Sequence, residues 1–128
     1  MLDSKEIAIL YVDDEEVNLF LFKTNFEASY PVFTATSGEE GLHELETHDD
    51  KIIVVISDMK MPGMSGVEFI RKAREKHNNI VYFILTGYAS NEEIENALEE
   101  RVIHQWFSKP FDMDKIEEAI QEALLEMG

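Results

Sequence analysis

Residues 52–66 read Ile52-Ile53-Val54-Val55-Ile56-Ser57-Asp58-Met59-Lys60-Met61-Pro62-Gly63-Met64-Ser65-Gly66. A run of β-branched residues bounded by a Pro/Gly cluster predicts a strand buried on both faces, as in a parallel sheet covered by helices. In such sheets ligands bind beyond the carboxyl ends of the strands. Asp58 stands at that position. A second run, Ile7-Ala8-Ile9-Leu10-Tyr11-Val12, ends in Asp13-Asp14 in the same way.

Working outward, strand-like runs recur at about residues 6–12, 31–35, 52–57, 80–85 and 102–107. Helical periodicity fills the intervals, at about 15–28, 37–48, 65–76, 90–100 and 112–126. Five β-then-α units predict one α/β domain over residues 1–128, a doubly wound parallel sheet with helices on both faces. Ser37, Ser65 and Asp112 each stand where a helix needs a cap, the first two with an acidic residue three positions on. In the first helix, a step of about 100° per residue puts Asn18, Leu21, Phe22, Asn25 and Phe26 on one broad face. Phe20 falls on the other, among Glu16, Lys23 and Glu27.

Composition narrows the function. The chain has 128 residues, 45% of them apolar, which fits one domain with a substantial core. A formal net charge of −16 opposes phosphate backbones, so nucleic acid is not an expected partner. Absence of cysteine removes thiolate metal sites and thiol nucleophiles. No apolar stretch approaches a membrane span and the N-terminus is unlike a secretory signal, so a cytoplasmic location is expected.

In a parallel sheet the carboxyl ends of all strands share one edge, which gathers Asp13, Asp14, Asp58, Thr86 and Lys109. Clustered carboxylates repel unless a cation neutralises them. Oxygen ligands without His or Cys suit Mg²⁺ or Mn²⁺. Beside such a metal Asp58 can act as an oxygen nucleophile toward a phosphoryl group, with Thr86 offering a hydroxyl and Lys109 a positive charge. Lys109 precedes Pro110, where a cis peptide is one way to aim the amine inward. Taken singly, each residue has a plainer reading: Asp13 and Asp14 as helix caps, Asp58 as a loop residue, Thr86 and Lys109 as ordinary strand ends. Their occurrence in order at the ends of strands 1, 3, 4 and 5 favours the site.

Val12-Asp13-Asp14, Ser57 to Gly66, Leu85-Thr86-Gly87 and Ser108-Lys109-Pro110-Phe111 together resemble the receiver domain of bacterial two-component response regulators. The resemblance implies a flavodoxin-like sheet ordered 2-1-3-4-5 and a phosphorylation-controlled switch, not an enzyme acting on a metabolite. It implies phosphorylation of Asp58 by a sensor histidine kinase or phosphotransfer protein. Mg²⁺ would be held by Asp14, Asp58 and the Lys60 carbonyl, with Asp13 bound to it directly or through water. Thr86 and Lys109 would contact the phosphoryl group, and Trp106 would be the aromatic that turns inward as Thr86 moves. A downstream output domain or protein, and a phosphorylation-dependent dimer, are the further partners implied. Lys60 and Tyr88 would flank the path of an attacking water and slow loss of the phosphoryl group. Exposed Phe20 would contribute to kinase docking, since in this family the first helix packs on the kinase.

Two features stand against simpler transfers. The rival with an aspartyl nucleophile, a Mg²⁺-dependent phosphatase of the haloacid dehalogenase type, needs a second Asp two residues on, where this chain has Lys60. Glu100-Arg101-Val102-Ile103-His104 lacks the glycine that favours a left-handed helix end. A fourth helix and exit loop of uncommon geometry are therefore expected.

Overall fold

The computed structural model describes residues 7–87 and 90–127. Five strands, β1 (Ala8–Val12), β2 (Val32–Ala35), β3 (Ile52–Ser57), β4 (Val81–Thr86) and β5 (Gln105–Ser108), alternate with five helices. These are α1 (Glu16–Phe26), α2 (Gly38–His48), α3 (Gly66–Lys76), α4 (Glu92–Glu99) and α5 (Met113–Met127). All strand pairs are parallel and the order is β2-β1-β3-β4-β5. The predicted α/β architecture is therefore the observed one.

Alternation along the strands builds two cores. Leu10, Val12, Val55, Tyr82 and Ile84 face α2, α3 and α4, where Leu45, Phe69, Ile70, Ile94 and Ala97 close over them. Ile9, Tyr11, Val54, Ile56, Phe83 and Leu85 face Phe22 and Phe26 of α1 and Ile116 and Ile120 of α5. Because β1 runs between β2 and β3, the chain winds in opposite directions from β1 and β3, and a crevice opens beyond their carboxyl ends. Val12 lies beside Ser57 in the register, and the Asp58 N–H donates to the Val12 carbonyl at 2.8 Å. Asp13 and Asp58 thus leave neighbouring strands at the crevice.

Local chemistry sets the boundaries. Ser65 and Glu68 complete a reciprocal capping box on α3, while Asn91 caps α4 through the Ile94 N–H. Ser37 accepts from the Glu40 N–H, but the Glu40 carboxylate turns to Thr36 instead of closing the box.

Three expectations are corrected. β5 begins at Gln105, not near residue 102. Val102 and Ile103 are buried, yet their N–H groups turn back to the Ala97 carbonyl at the end of α4; an apolar run signals burial without distinguishing strand from turn. The end of α4 is left-handed after all, with Arg101 at φ 61° in the place a glycine would favour. Arg101 N–H reaches the Leu98 carbonyl at 3.1 Å and Val102 N–H the Ala97 carbonyl at 2.8 Å, the paired bonds of a Schellman motif. On α1 the buried stripe is Leu19, Phe22 and Phe26, whereas Leu21 is 45% exposed. The helix meets the sheet along that narrower line, and its remaining apolar residues stay in solvent.

Candidate functional site

Asp13, the first residue beyond β1, is fully buried and held on both oxygens. Its Oδ1 accepts the Glu15 N–H at 3.0 Å. Its Oδ2 accepts the Tyr11 hydroxyl at 2.8 Å and the Lys109 ammonium at 2.7 Å. Asp14 is exposed to the crevice. Asp58, at the end of β3, is buried; its Oδ1 takes the Met59 N–H at 2.8 Å and its Oδ2 lies 3.4 Å from Lys109 Nζ. One carboxylate oxygen from each of Asp13, Asp14 and Asp58 falls within 4.8 Å of the others. The three carboxylates converge.

The loop after β3 is fixed by backbone contacts. Gly66 N–H donates to the Met59 carbonyl at 2.8 Å, and a Cβ at Gly66 would run into the Asp58 carbonyl oxygen. The Ser57 hydroxyl donates to that same carbonyl. Only glycine lets the start of α3 approach so closely.

Charge follows geometry. Burial pushes the Asp58 carboxyl above the usual carboxylate range, Lys109 draws it back, and the Asp13 charge adds to the rise. Burial works against the Lys109 ammonium, but its bond to Asp13 and the Asp58 charge outweigh this and hold it above the ordinary lysine value. The cluster is electron-rich, oxygen-lined and open to solvent through a cleft walled by Asp14, Asn18, Asp58, Lys60, Gly87 and Lys109. Such a donor set fits a hard divalent cation.

Thr86 ends β4, is buried, and passes its carbonyl to the Lys109 N–H at 2.7 Å. Its register partner is Ser108, and the Lys109–Pro110 peptide that follows is cis. Trp106 pairs with Ile84 and lies half-buried against the core under α4. Lys60 is exposed beside Asp58, while Tyr88 falls outside the described residues. Phe20 lies away from the crevice and is 68% exposed, next to Val17 at 68% and Leu21 at 45%. Sequence reasoning missed Tyr11, which it took for one more apolar strand residue. Its hydroxyl, two positions ahead of Asp13 and so on the same side of the strand, was the available signal.

A family model, the response regulator receiver domain, matches residues 9–121. Sporulation initiation phosphotransferase F of Bacillus subtilis is 32% identical over 117 residues, covering 91% of this chain and 92% of that protein. The hydrogenase transcriptional regulatory protein HoxA of Cupriavidus necator is 28% identical over 99% of this chain, which spans only 26% of HoxA. Among solved structures, a response regulator receiver domain protein of Clostridium thermocellum superimposes with a TM-score of 0.83 at 31% identity, covering 94% of this chain and 95% of that one. TrrA of Thermotoga maritima, solved in complex with Mg²⁺ and BeF, gives 0.76 at 30% identity, covering 90% and 96%. The chain belongs to the response regulator receiver domains, the phosphorylation-controlled switches of two-component signalling.

Proposed function

We propose that Asp58 is the phosphoacceptor of this receiver domain and that the chain relays a signal from a histidine kinase or phosphotransfer protein to an output partner. The observation that carries the reading is the convergence of Asp13, Asp14 and Asp58 with Lys109 at the crevice between β1 and β3. A carboxylate oxygen of Asp58 attacks the donor phosphorus. One P–O bond forms as the phosphohistidine P–N bond breaks, and the freed imidazole nitrogen takes up a proton. The Asp14 and Asp58 carboxylates and the Lys60 carbonyl would hold Mg²⁺, with Asp13 bound directly or through a water; Mn²⁺ suits the same oxygens. When bound, the cation neutralises charge on the carboxylates and the phosphoryl oxygens.

Thr86 ends β4, the strand beside β3, and Lys109 follows β5 on its far side; both would contact the phosphoryl group. Thr86 shares its strand with Ile84, the register partner of Trp106. A shift of Thr86 would thus be felt by Trp106 and by the surface of α4 and β5 that an output partner or second receiver reads. Lys60 and Tyr88 would screen the phosphoryl group from water. Lys60 also stands where a phosphatase of the haloacid dehalogenase type needs its second Asp, so that reading is not carried forward. Among the described residues no helix is long and apolar enough to cross a membrane, which is compatible with a cytoplasmic site of action.

Incubation with Mg²⁺ and acetyl phosphate, read by intact mass, tests the proposal. Wild type is expected to gain one phosphate, and EDTA or Asp58→Asn to abolish the gain. A phosphate that persists in Asp58→Asn would refute the assignment.

A further inference from the structure

Tyr11 sits in the interior of β1 among aliphatic neighbours, yet its hydroxyl is committed to a functional carboxylate. Its ring stacks on Phe22 of α1 with centroids 4.2 Å apart and planes 11° from parallel. Phe22 stacks in turn on Phe26 at 4.4 Å, and Phe111, two residues beyond Lys109, packs against both at 5.7 and 6.0 Å. The phenol therefore has little freedom, and its oxygen is aimed at Asp13 Oδ2 from 2.8 Å.

That oxygen carries two donors, which its two lone pairs accommodate. Lys109 Nζ is 2.7 Å from Asp13 and 3.4 Å from Asp58, so the ammonium is held chiefly by Asp13. A phosphoryl group on Asp58 would compete with Asp13 for this ammonium. Asp13 is fully buried, and a buried carboxylate stripped of a donor is strongly disfavoured.

We propose that Tyr11 is a positioning residue of this site: its hydroxyl keeps Asp13 oriented and hydrogen-bonded when Lys109 moves from Asp13 to an arriving phosphoryl group. The hand-over rests on the reading of Asp58 as phosphoacceptor; the fixing of Asp13 does not. Without the hydroxyl, Asp13 would depend on Lys109 at Oδ2, and the ammonium would be retained where the cation must enter.

Calorimetric titration of Mg²⁺ without any phosphodonor tests the first half on wild type, Tyr11→Phe and Tyr82→Phe. Tyr11→Phe keeps the ring stack and removes one oxygen. Tyr82→Phe removes a comparable buried hydroxyl, whose partner is the His77 carbonyl at 2.8 Å, away from the cluster. The dissociation constant is expected to rise about tenfold in Tyr11→Phe, the scale on which partners of metal-binding carboxylates act, and to stay unchanged in Tyr82→Phe. An unchanged constant in Tyr11→Phe, or an equal loss in both variants, would overturn the assignment. For the second half, the initial rate of phosphate uptake from acetyl phosphate at saturating Mg²⁺ should fall about tenfold in Tyr11→Phe. A rate equal to wild type would overturn the hand-over. A wild type that takes up no phosphate would instead sink the acceptor reading and the hand-over with it, while the Mg²⁺ constants still decide whether Tyr11 fixes Asp13.

Discussion

At Gly66 and at Arg101 the backbone, more than any side chain, decides what can be tolerated. A side chain at Gly66 would press on the Asp58 carbonyl and push the acceptor out of register with Asp13. Gly66→Ala is therefore expected to lower stability by about 1–3 kcal/mol, the range for overpacking, in urea unfolding. It should also slow phosphate uptake. Arg101 is the converse case, because its φ of 61° is one that L side chains avoid. Arg101→Gly relieves that strain but gives the unfolded chain more freedom, so the net gain should be about 0.5–1 kcal/mol in the same assay. Acidic residues at strand ends were legible in the sequence because a carboxylate after a buried run is chemically conspicuous. Tyr11 was not, because a tyrosine in a strand satisfies the apolar pattern whether or not its hydroxyl has work to do. The left-handed Arg101 was hidden for a related reason: hydrogen bonds from Arg101 and Val102 to α4 hold a conformation that the residue type disfavours.

Among the elements, α1 shows most clearly what periodicity can and cannot say. Its apolar residues lie on more than one side, so the sequence placed Leu21 with Phe22 and Phe26, whereas Leu19 takes the buried position. Val17, Phe20 and Leu21 are left in solvent on one side of the helix, at positions three and four residues apart. The kinase docking that the family resemblance implies for Phe20 would use this apolar surface. Phe20→Ala should change stability by less than about 0.5 kcal/mol, as expected at an exposed position, because no core contact is lost. Transfer from a kinase should slow while phosphorylation by acetyl phosphate proceeds at the wild-type rate; equal effects on both would count against docking. α4 and β5 teach the complementary lesson. The buried Val102-Ile103 pair looked like the start of a strand, and only the hydrogen bonds back to Ala97 reveal a helix end.

For the whole molecule, the five βα repeats made the sheet and its crevice readable, since parallel strands and right-handed crossovers leave few alternatives. What the sequence could not give was the distribution of charge inside the site: Lys109 lies closer to Asp13 than to Asp58. The molecule carries a formal charge of −16 and gathers three of its carboxylates in one crevice. Removing one should relieve repulsion, so Asp58→Asn is expected to raise the urea midpoint in EDTA. Mg²⁺ should then stabilise wild type more than the variant, because ligand binding to the folded state adds stability that grows with the logarithm of its affinity. The central claim concerns which carboxylate takes the phosphate. Borohydride reduction of the acyl phosphate, after incubation with Mg²⁺ and acetyl phosphate, converts the phosphorylated aspartate to homoserine, and peptide mapping locates it. Homoserine at position 58 alone is the predicted result; homoserine at Asp13 or Asp14, or none in a chain that has gained phosphate, would contradict the account.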